Sequence, residues 1–173
     1  MRNILNFLIF AVIFISCKSD LKLDENTALK LIKEEKGYPK VVEYEIYTAD
    51  PEEVKKLLDL GLEKAGLITV QKSQSSKDVG KPLIKFTKKA ERYLLPQTVE
   101  DKKANIQRVK IAEEVVIGIT KITENEEGKG AVAEFETSFE NVSPFSVLAR
   151  VKPGEKRMLT ANFVVYENFW TLS

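Results

Sequence analysis

The first clear pattern of apolar and polar positions predicts a helix followed by a strand. Asp24 stands where its carboxylate can accept hydrogen bonds from the first-turn N–H groups of a helix. Ala28, Leu29 and Ile32 then recur at helical spacing and form one apolar stripe. Over residues 41–47 apolar and polar side chains alternate instead, which is typical of a half-buried strand.

A second helix is predicted to begin after Asp50, because aspartate caps helices and Pro51 suits the first helical position. Its apolar positions continue to Ala65, and Gly66 ends it. Two short strands flanking a polar, serine-rich loop are predicted next, and then a short helix capped by Thr87. These segments are 67–70 for the first strand, 72–81 for the loop, 83–86 for the second strand and 87–95 for the helix.

Strand patterns dominate the chain from about Val109 onward. The clearest alternation runs over 131–140, with small and aromatic side chains on one face and glutamates on the other. A last strand is predicted over 159–170. Long strands joined by turns indicate an antiparallel meander, one face of which would pack on the helices.

Residues 24–95 also resemble a winged-helix module. The resemblance is carried by a leucine-rich helix, a polar wing and a strand that opens into a short basic helix. The residues concerned are Leu57, Leu58 and Leu62, then Ala65-Gly66-Leu67-Ile68, and finally Ile84-Lys85-Phe86-Thr87-Lys88-Lys89-Ala90. The predicted fold class is therefore α+β, with an N-terminal winged-helix-like helical module over 24–96 packed with a C-terminal antiparallel β-meander over 105–173.

The first sixteen residues have the composition of an export signal. One basic side chain, Arg2, precedes an apolar run over 4–15 that only Asn6 interrupts. This run is too short for a membrane span, which needs about 20 residues, but it suits the roughly 7–15-residue apolar region of a secretory signal. The run stops at Ser16 and Cys17, and polar residues follow.

Phe14-Ile15-Ser16-Cys17 resembles the bacterial lipobox, with phenylalanine where leucine is usual. In that family, signal peptidase II cuts just before the cysteine after a diacylglycerol group has been attached to the sulfur. The resemblance implies cleavage between Ser16 and Cys17 and a membrane anchor of acyl chains on Cys17. The alternatives are an ordinary secretory signal with a coincidental cysteine, an uncleaved anchor, or a cytosolic protein.

The lipobox resemblance also divides the N-terminal part of the chain. It implies a signal peptide over 1–16 and a lipidated tether over 17–23, with the folded part anchored in the cell envelope. Lys18 stands where an aspartate would signal retention in the inner membrane. The outer membrane is therefore the expected location in a cell that has two membranes.

Composition narrows the functional classes further. Charged residues make up 31% of the chain and hydrophobic residues 43%, as in globular domains. Of 27 basic side chains one is Arg2, so the mature chain has 26 against 26 acidic ones and no net charge to attract nucleic acid. The absence of histidine excludes histidine-based triads and zinc sites, and the single cysteine excludes an intramolecular disulfide.

Carboxylates are the remaining candidates for acid–base or metal chemistry. Adjacent glutamates on a strand point to opposite faces, whereas glutamates two apart share a face that is either a catalytic or calcium site or a solvated surface. An acidic turn is likewise either a calcium loop or a chance cluster. The residues are Glu113 with Glu114, then Glu134 with Glu136 and Glu140, and the acidic segment 124–128. No cofactor or metal is predicted.

Two groups of side chains are candidates for an interaction surface. Lys85, Lys88 and Lys89 belong to a basic cluster that is either simply solvated or faces an anionic partner. The aromatic group either forms a recognition patch or locks the last strand onto the core. It comprises Tyr166, Phe169 and Trp170, with Phe145 as a further candidate member.

The sequence thus predicts a non-enzymatic binding module of the cell envelope, held to the membrane by lipid on Cys17. Its partner would be an envelope protein or a polysaccharide, and export excludes chromosomal DNA. Two alternatives stay open: a carboxylate-dependent envelope hydrolase, and an immunity or inhibitor lipoprotein.

Overall fold

A computed structural model describes residues 21–173, so the predicted signal peptide, the cleavage site and Cys17 lie outside the described residues. These described residues fold into three helices, seven strands and two short 3-10 turns. In order they are α1 (Glu25–Glu35), β1 (Lys40–Tyr47), α2 (Pro51–Asp59), β2 (Ile68–Val70), β3 (Ile84–Phe86), a 3-10 turn (Glu91–Tyr93), α3 (Val99–Lys103), β4 (Ile106–Glu124), β5 (Gly130–Glu140), a 3-10 turn (Pro144–Leu148), β6 (Lys156–Tyr166) and β7 (Phe169–Leu172).

The main body is a five-stranded antiparallel sheet in the order β1-β4-β5-β6-β7, curled into a half-barrel. Its central element is β4, a strand of 19 residues that pairs with β1 along its first half and with β5 along its second. Register shifts lie between Val116 and Gly118 and between Ile119 and Lys121. Because such irregularities bend a strand and increase its twist, they account for the curl. Strands β2 and β3 form a separate small hairpin.

Two hydrophobic clusters lie along β4. The first joins α2, the β2–β3 hairpin and the second 3-10 turn to the first half of β4, around Leu57, Ile111 and Phe145. The second joins α1 to β5, β6 and β7, around Ile32 and Phe163. Burying side chains of this size stabilises the fold by about 1.5–3 kcal/mol each. Each helix therefore packs on its own part of the sheet.

The predicted winged-helix module packed with a meander is wrong. Strands account for 39% of the structure and helices for 22%. The helices of a winged helix share one core, but α1 packs on β4 and β7 while α2 belongs to the other cluster. The predicted helix over 87–95 is absent too, because Thr87 donates its hydroxyl to the carbonyl of Gly66 and only a 3-10 turn follows. An apolar stripe does not reveal whether a helix will face another helix or a sheet.

The local predictions are confirmed where the interacting groups are close in sequence. The Asp24 carboxylate accepts from the N–H of Thr27 at 2.9 Å, and this bond holds the pKa of Asp24 below its usual range. Asp50 caps α2 in the same way through Glu52, and Pro51 is the first helical residue. On β5 the alternating small and aromatic side chains are buried, as predicted for the inner face.

The predicted single last strand is wrong, because it is two strands joined by a tight turn. Glu167 and Asn168 both adopt positive φ, at 47° and 67°, and β7 returns along β6. Two consecutive residues of this conformation give the two-residue hairpin turn that suits the twist of a sheet. Phe169 consequently lies opposite Tyr166, and Trp170 lies opposite Val165.

Candidate functional site

The start of the described chain is fixed to the sheet. The backbone N–H of Leu23 donates to the carboxylate of Glu124 at 2.9 Å, and the Leu23 side chain is 4% exposed. The indole N–H of Trp170 donates to the carbonyl of Leu21 at 3.1 Å. The chain is therefore held from Leu21 onward, within the segment 17–23 that was predicted to be a lipidated tether.

This attachment lies at one end of the sheet, where two turns also meet. Glu124 is the last residue of β4, and the turn 125–129 leads from there into β5. The N–H of Val165 donates to the carbonyl of Lys129 at 2.9 Å, so the turn between β6 and β7 lies at the same end. We call this the tether end: residues 21–24, turn 125–129 and turn 166–169.

Two large aromatic side chains are exposed at the tether end. Tyr166 is 65% exposed and Phe169 is 73% exposed, and they are cross-strand partners. Trp170, a candidate surface residue from sequence, is only 7% exposed and belongs to the second hydrophobic cluster. The core-packing interpretation therefore applies to Trp170, whereas the other two aromatic side chains form an open patch.

The lysine cluster lies on the β2–β3 hairpin and its flanking turns. Lys85, Lys88 and Lys89 are all exposed, and the Lys89 ammonium donates to the carbonyl of Ala65 at 2.9 Å. Between residues 63 and 92 the sequence has eight basic and three acidic side chains, whereas residues 17–62 and 93–173 together carry an acidic excess of five. We call the segment 63–92 the basic end.

The basic end and the tether end are attached to opposite ends of β4. The β2–β3 hairpin packs in the cluster that contains Val109 and Ile111, whereas the tether is fixed at Glu124. The fifteen residue-to-residue steps from Val109 to Glu124 correspond to roughly 50 Å of strand path at ~3.3 Å per step, measured along the curl. The basic end thus lies on a different part of β4 from the tether end.

The carboxylates singled out from the sequence do not come together as an acid pair. Glu134 pairs with Lys121 at 3.9 Å and Glu136 pairs with Lys156 at 3.0 Å, both on the solvated face. Glu140, the third member of that group, is exposed as well. Within residues 21–173 no three acidic side chains approach closely enough to hold a metal ion.

The adjacent glutamates of β4 point in different directions, as their spacing predicts. Glu113 accepts from Asn141 at 2.6 Å and pairs with Lys110, and Lys110 is the main cause that lowers the pKa of Glu113. Glu114 instead accepts from the hydroxyl of Thr137 at 2.7 Å. Each carboxylate therefore has its own partner: Glu113 has a lysine and an amide, and Glu114 has a hydroxyl.

Side chains of the acidic segment 124–128 accept hydrogen bonds from the protein's own backbone. The side-chain oxygen of Asn125 accepts from the N–H groups of Lys129 and Gly130 at 3.0 and 3.1 Å, which shapes the turn. The Glu124 carboxylate is the acceptor for Leu23. Both groups bind backbone N–H groups of this chain.

One polar recess was not indicated by any sequence pattern. It is a cavity of about 390 Å³ beside β4, where the Arg92 guanidinium stacks 4.7 Å from the centre of the Tyr93 ring. Its remaining polar lining comes from Lys110, Glu113 and Asn141. These residues come from segments far apart in the sequence, so no local motif predicts the recess.

Comparison with known proteins gives no relative: no family model, no curated protein and no solved structure matches the chain. Among residues 21–173, none of the helices has both the length and the apolar character needed to cross a membrane.

Proposed function

We propose that this chain is an envelope lipoprotein, anchored by acyl chains on Cys17, whose folded part is a non-enzymatic binding module. The attachment of Leu21 to Trp170 carries the proposal. Only three residues separate Cys17 from Leu21. A chain of that length spans at most ~14 Å, since each residue adds about 3.6 Å.

A short spacer that leads into a fixed residue suits an anchor. Acyl chains contribute about 0.8 kcal/mol per buried CH₂ group, so two or three chains on Cys17 would hold the protein stably at a membrane. The tether end would then face the lipid, and the basic end would project from the other end of β4. That arrangement leaves Lys85 and Lys88 accessible to a partner with an acidic surface.

The acidic side chains each have a separate partner, which supports binding rather than catalysis. Glu134 and Glu136 each have a lysine partner, and Glu113 and Glu114 serve different structural contacts. General acid–base catalysis by two carboxylates needs a shared reaction centre. The separate pairs supply charge balance on a sheet surface instead.

The anchor is tested by growing cells with radiolabelled palmitate. We expect label on the wild-type protein and on the matched Ser19→Ala variant, but none on Cys17→Ala. The unlabelled variant should also keep its signal peptide, because signal peptidase II acts after lipid attachment. Label retained in Cys17→Ala, or no label in the wild type, would refute the anchor.

The binding module is tested by charge reversal at the basic end. Lys85→Glu with Lys88→Glu should abolish in-cell cross-links to an envelope partner. The control reverses the charge of Lys30 and Lys33, which are exposed on α1 in the other cluster. If both double variants keep the same cross-linked partner, the basic end is not the binding surface.

A further inference from the structure

The exposed aromatic pair at the tether end has no partner within residues 21–173 that would explain it. Tyr166 and Phe169 are 65% and 73% exposed, while the neighbouring Trp170 and Val165 point into the second cluster. Most large apolar side chains of a folded domain are buried. Two aromatic side chains opposite each other on a tight turn therefore mark a contact surface.

We propose that this aromatic turn inserts into the interfacial region of the membrane that carries the lipid anchor. The inference rests on the proposed function, because it requires lipid on Cys17. It assigns the β6–β7 turn as a second membrane contact that fixes the orientation of the folded part.

The length of the tether brings the aromatic turn to the membrane. Leu21 lies within ~14 Å of Cys17, because four residue-to-residue steps of about 3.6 Å each separate them. The carbonyl of Leu21 is 3.1 Å from the indole nitrogen of Trp170, and Phe169 is the next residue in the chain. A lipid-bearing Cys17 therefore places the aromatic turn next to the bilayer surface.

The chemistry of the pair fits that location. Tyrosine is enriched at membrane–water interfaces, where its ring lies among apolar groups and its hydroxyl remains in water. Phenylalanine supplies apolar area that is favourable to remove from water. Insertion of about 5–10 Å is typical of elements that lie in the interface.

The charges around the turn select the kind of lipid surface. The tether end carries the acidic side chains Asp24, Glu126, Glu127 and Glu167 against the basic side chains Lys22 and Lys129. Anionic headgroups would be repelled by this excess of acid, so attraction between opposite charges cannot drive the contact. Apolar insertion into a zwitterionic surface is therefore the mode that the residues favour, and it should be insensitive to salt.

The test uses the full lipidated chain in phosphatidylcholine nanodiscs with a nitroxide on some of the headgroups. Nitroxides weaken the NMR signals of nearby amides. We expect the amides of Tyr166 and Phe169 to lose signal as strongly as that of Leu21, and those of Lys85 and Lys88 to lose none. Loss at Leu21 without loss at Phe169 would overturn the inference and leave the anchor standing.

A variant separates insertion from mere proximity. Tyr166→Ser with Phe169→Ser should remain on the disc through its lipid, but the signal of Glu167 should recover. The matched control is Val79→Ser with Val99→Ser, which removes exposed apolar groups elsewhere and should leave Glu167 weakened. Equal weakening of Glu167 in all three proteins would overturn the inference.

Two further readouts separate the inference from its premise. Mass analysis that finds no lipid on Cys17 would overturn the proposed function and the insertion together. A photoreactive benzoyl-phenylalanine at position 169 should cross-link to lipid in intact cells, and the same group at Val79 should not. A single protein adduct at position 169 would assign the patch to a protein partner and overturn insertion.

Discussion

Trp170 donates its indole N–H to the backbone carbonyl of Leu21, across 149 positions of the sequence. The bond joins the two ends of the described chain and closes the second hydrophobic cluster beside α1. The backbone position of Leu21 is therefore determined by its contact with the core.

Replacing Trp170 by phenylalanine should destabilise the protein by about 1–2 kcal/mol. The change removes a hydrogen bond worth about 1 kcal/mol net and some buried ring area. Urea unfolding would measure the loss. Tyr166→Phe is the matched control, since it also removes one polar group from an aromatic side chain but at an exposed site. Equal midpoints for the two variants would contradict the role assigned to Trp170.

Glu124→Ala should loosen the tether while leaving the sheet intact. The carboxylate accepts from the N–H of Leu23, and a charge-assisted bond of this kind is worth about 1 kcal/mol or more when partly buried. We expect faster hydrogen exchange at Leu23 and unchanged exchange at Ala133. Glu126→Ala, at an exposed position of the adjoining turn, should change neither. Unaltered exchange at Leu23 in Glu124→Ala would show that the bond does not hold the tether.

Phe145 and Phe169 should respond oppositely to truncation. Phe145 is fully buried and lies about 6 Å from the rings of Phe86 and Tyr93. Phe145→Ala should cost about 3–5 kcal/mol through lost burial and the cavity left behind. Phe169→Ala should change stability by less than about 0.5 kcal/mol because the side chain is exposed. Thermal unfolding of both variants tests the contrast, which a large loss in Phe169→Ala would contradict.

Asp101 should make stability depend on pH in the acid range. Hydrogen bonds from the Thr98 backbone and from Arg108, which is 2.6 Å away, lower the pKa of Asp101 below its usual value of 3.8. A lowered pKa in the folded state gives stability that is present above pH 3.8 and lost as the pH falls through the folded value. The unfolding free energy should therefore decline below about pH 4, near the ordinary pKa of aspartate.

Asp101→Asn tests this pH dependence. The variant should be less stable than the wild type at pH 7 and should approach it at low pH, because protonation removes the same charge from the wild type. Glu100→Gln, at the exposed neighbouring position, is the control and should follow the wild type. A constant difference between Asp101→Asn and the wild type at all pH values would contradict the linkage.

The caps were predictable because each depends on groups within three residues of one another. Asp24 with Thr27, and Asp50 with Glu52, need no knowledge of the fold. The fold class was not predictable in this way. It depends on β1 pairing with β4, in which Tyr47 lies opposite Ile106. No spacing rule connects residues that far apart.

The turn between β6 and β7 could have been detected in the sequence, because the buried positions change from odd-numbered to even-numbered residues across it. Phe163 and Val165 are odd-numbered positions that pack against the second cluster, whereas Trp170 packs there from an even-numbered one. In a continuous strand, all odd-numbered side chains lie on one face and all even-numbered ones on the other. The change from odd to even therefore requires a turn or a bulge between Val165 and Trp170. The sequence does not suggest a turn at Glu167, because glutamate is uncommon at positive φ.

The contacts of the tether could not be predicted at all. Leu21 takes part through its carbonyl and Leu23 through its N–H, and backbone groups leave no trace in a side-chain pattern. Glu124 belongs to the acidic segment 124–128, whose sequence predicts either a calcium loop or a chance acidic turn and gives no sign of a contact with Leu23.

The pairing of β1 with β4 also imposes a delay between the synthesis of a strand and its incorporation into the sheet. The ribosome completes β1 at Tyr47 and must add 59 further residues to reach Ile106, its partner. At about 5–20 residues per second, that interval is roughly 3–12 seconds. During it the apolar side chains of β1 have no sheet to join. During synthesis the nascent chain therefore passes through a period in which β1 has been made but its pairing partner in β4 has not.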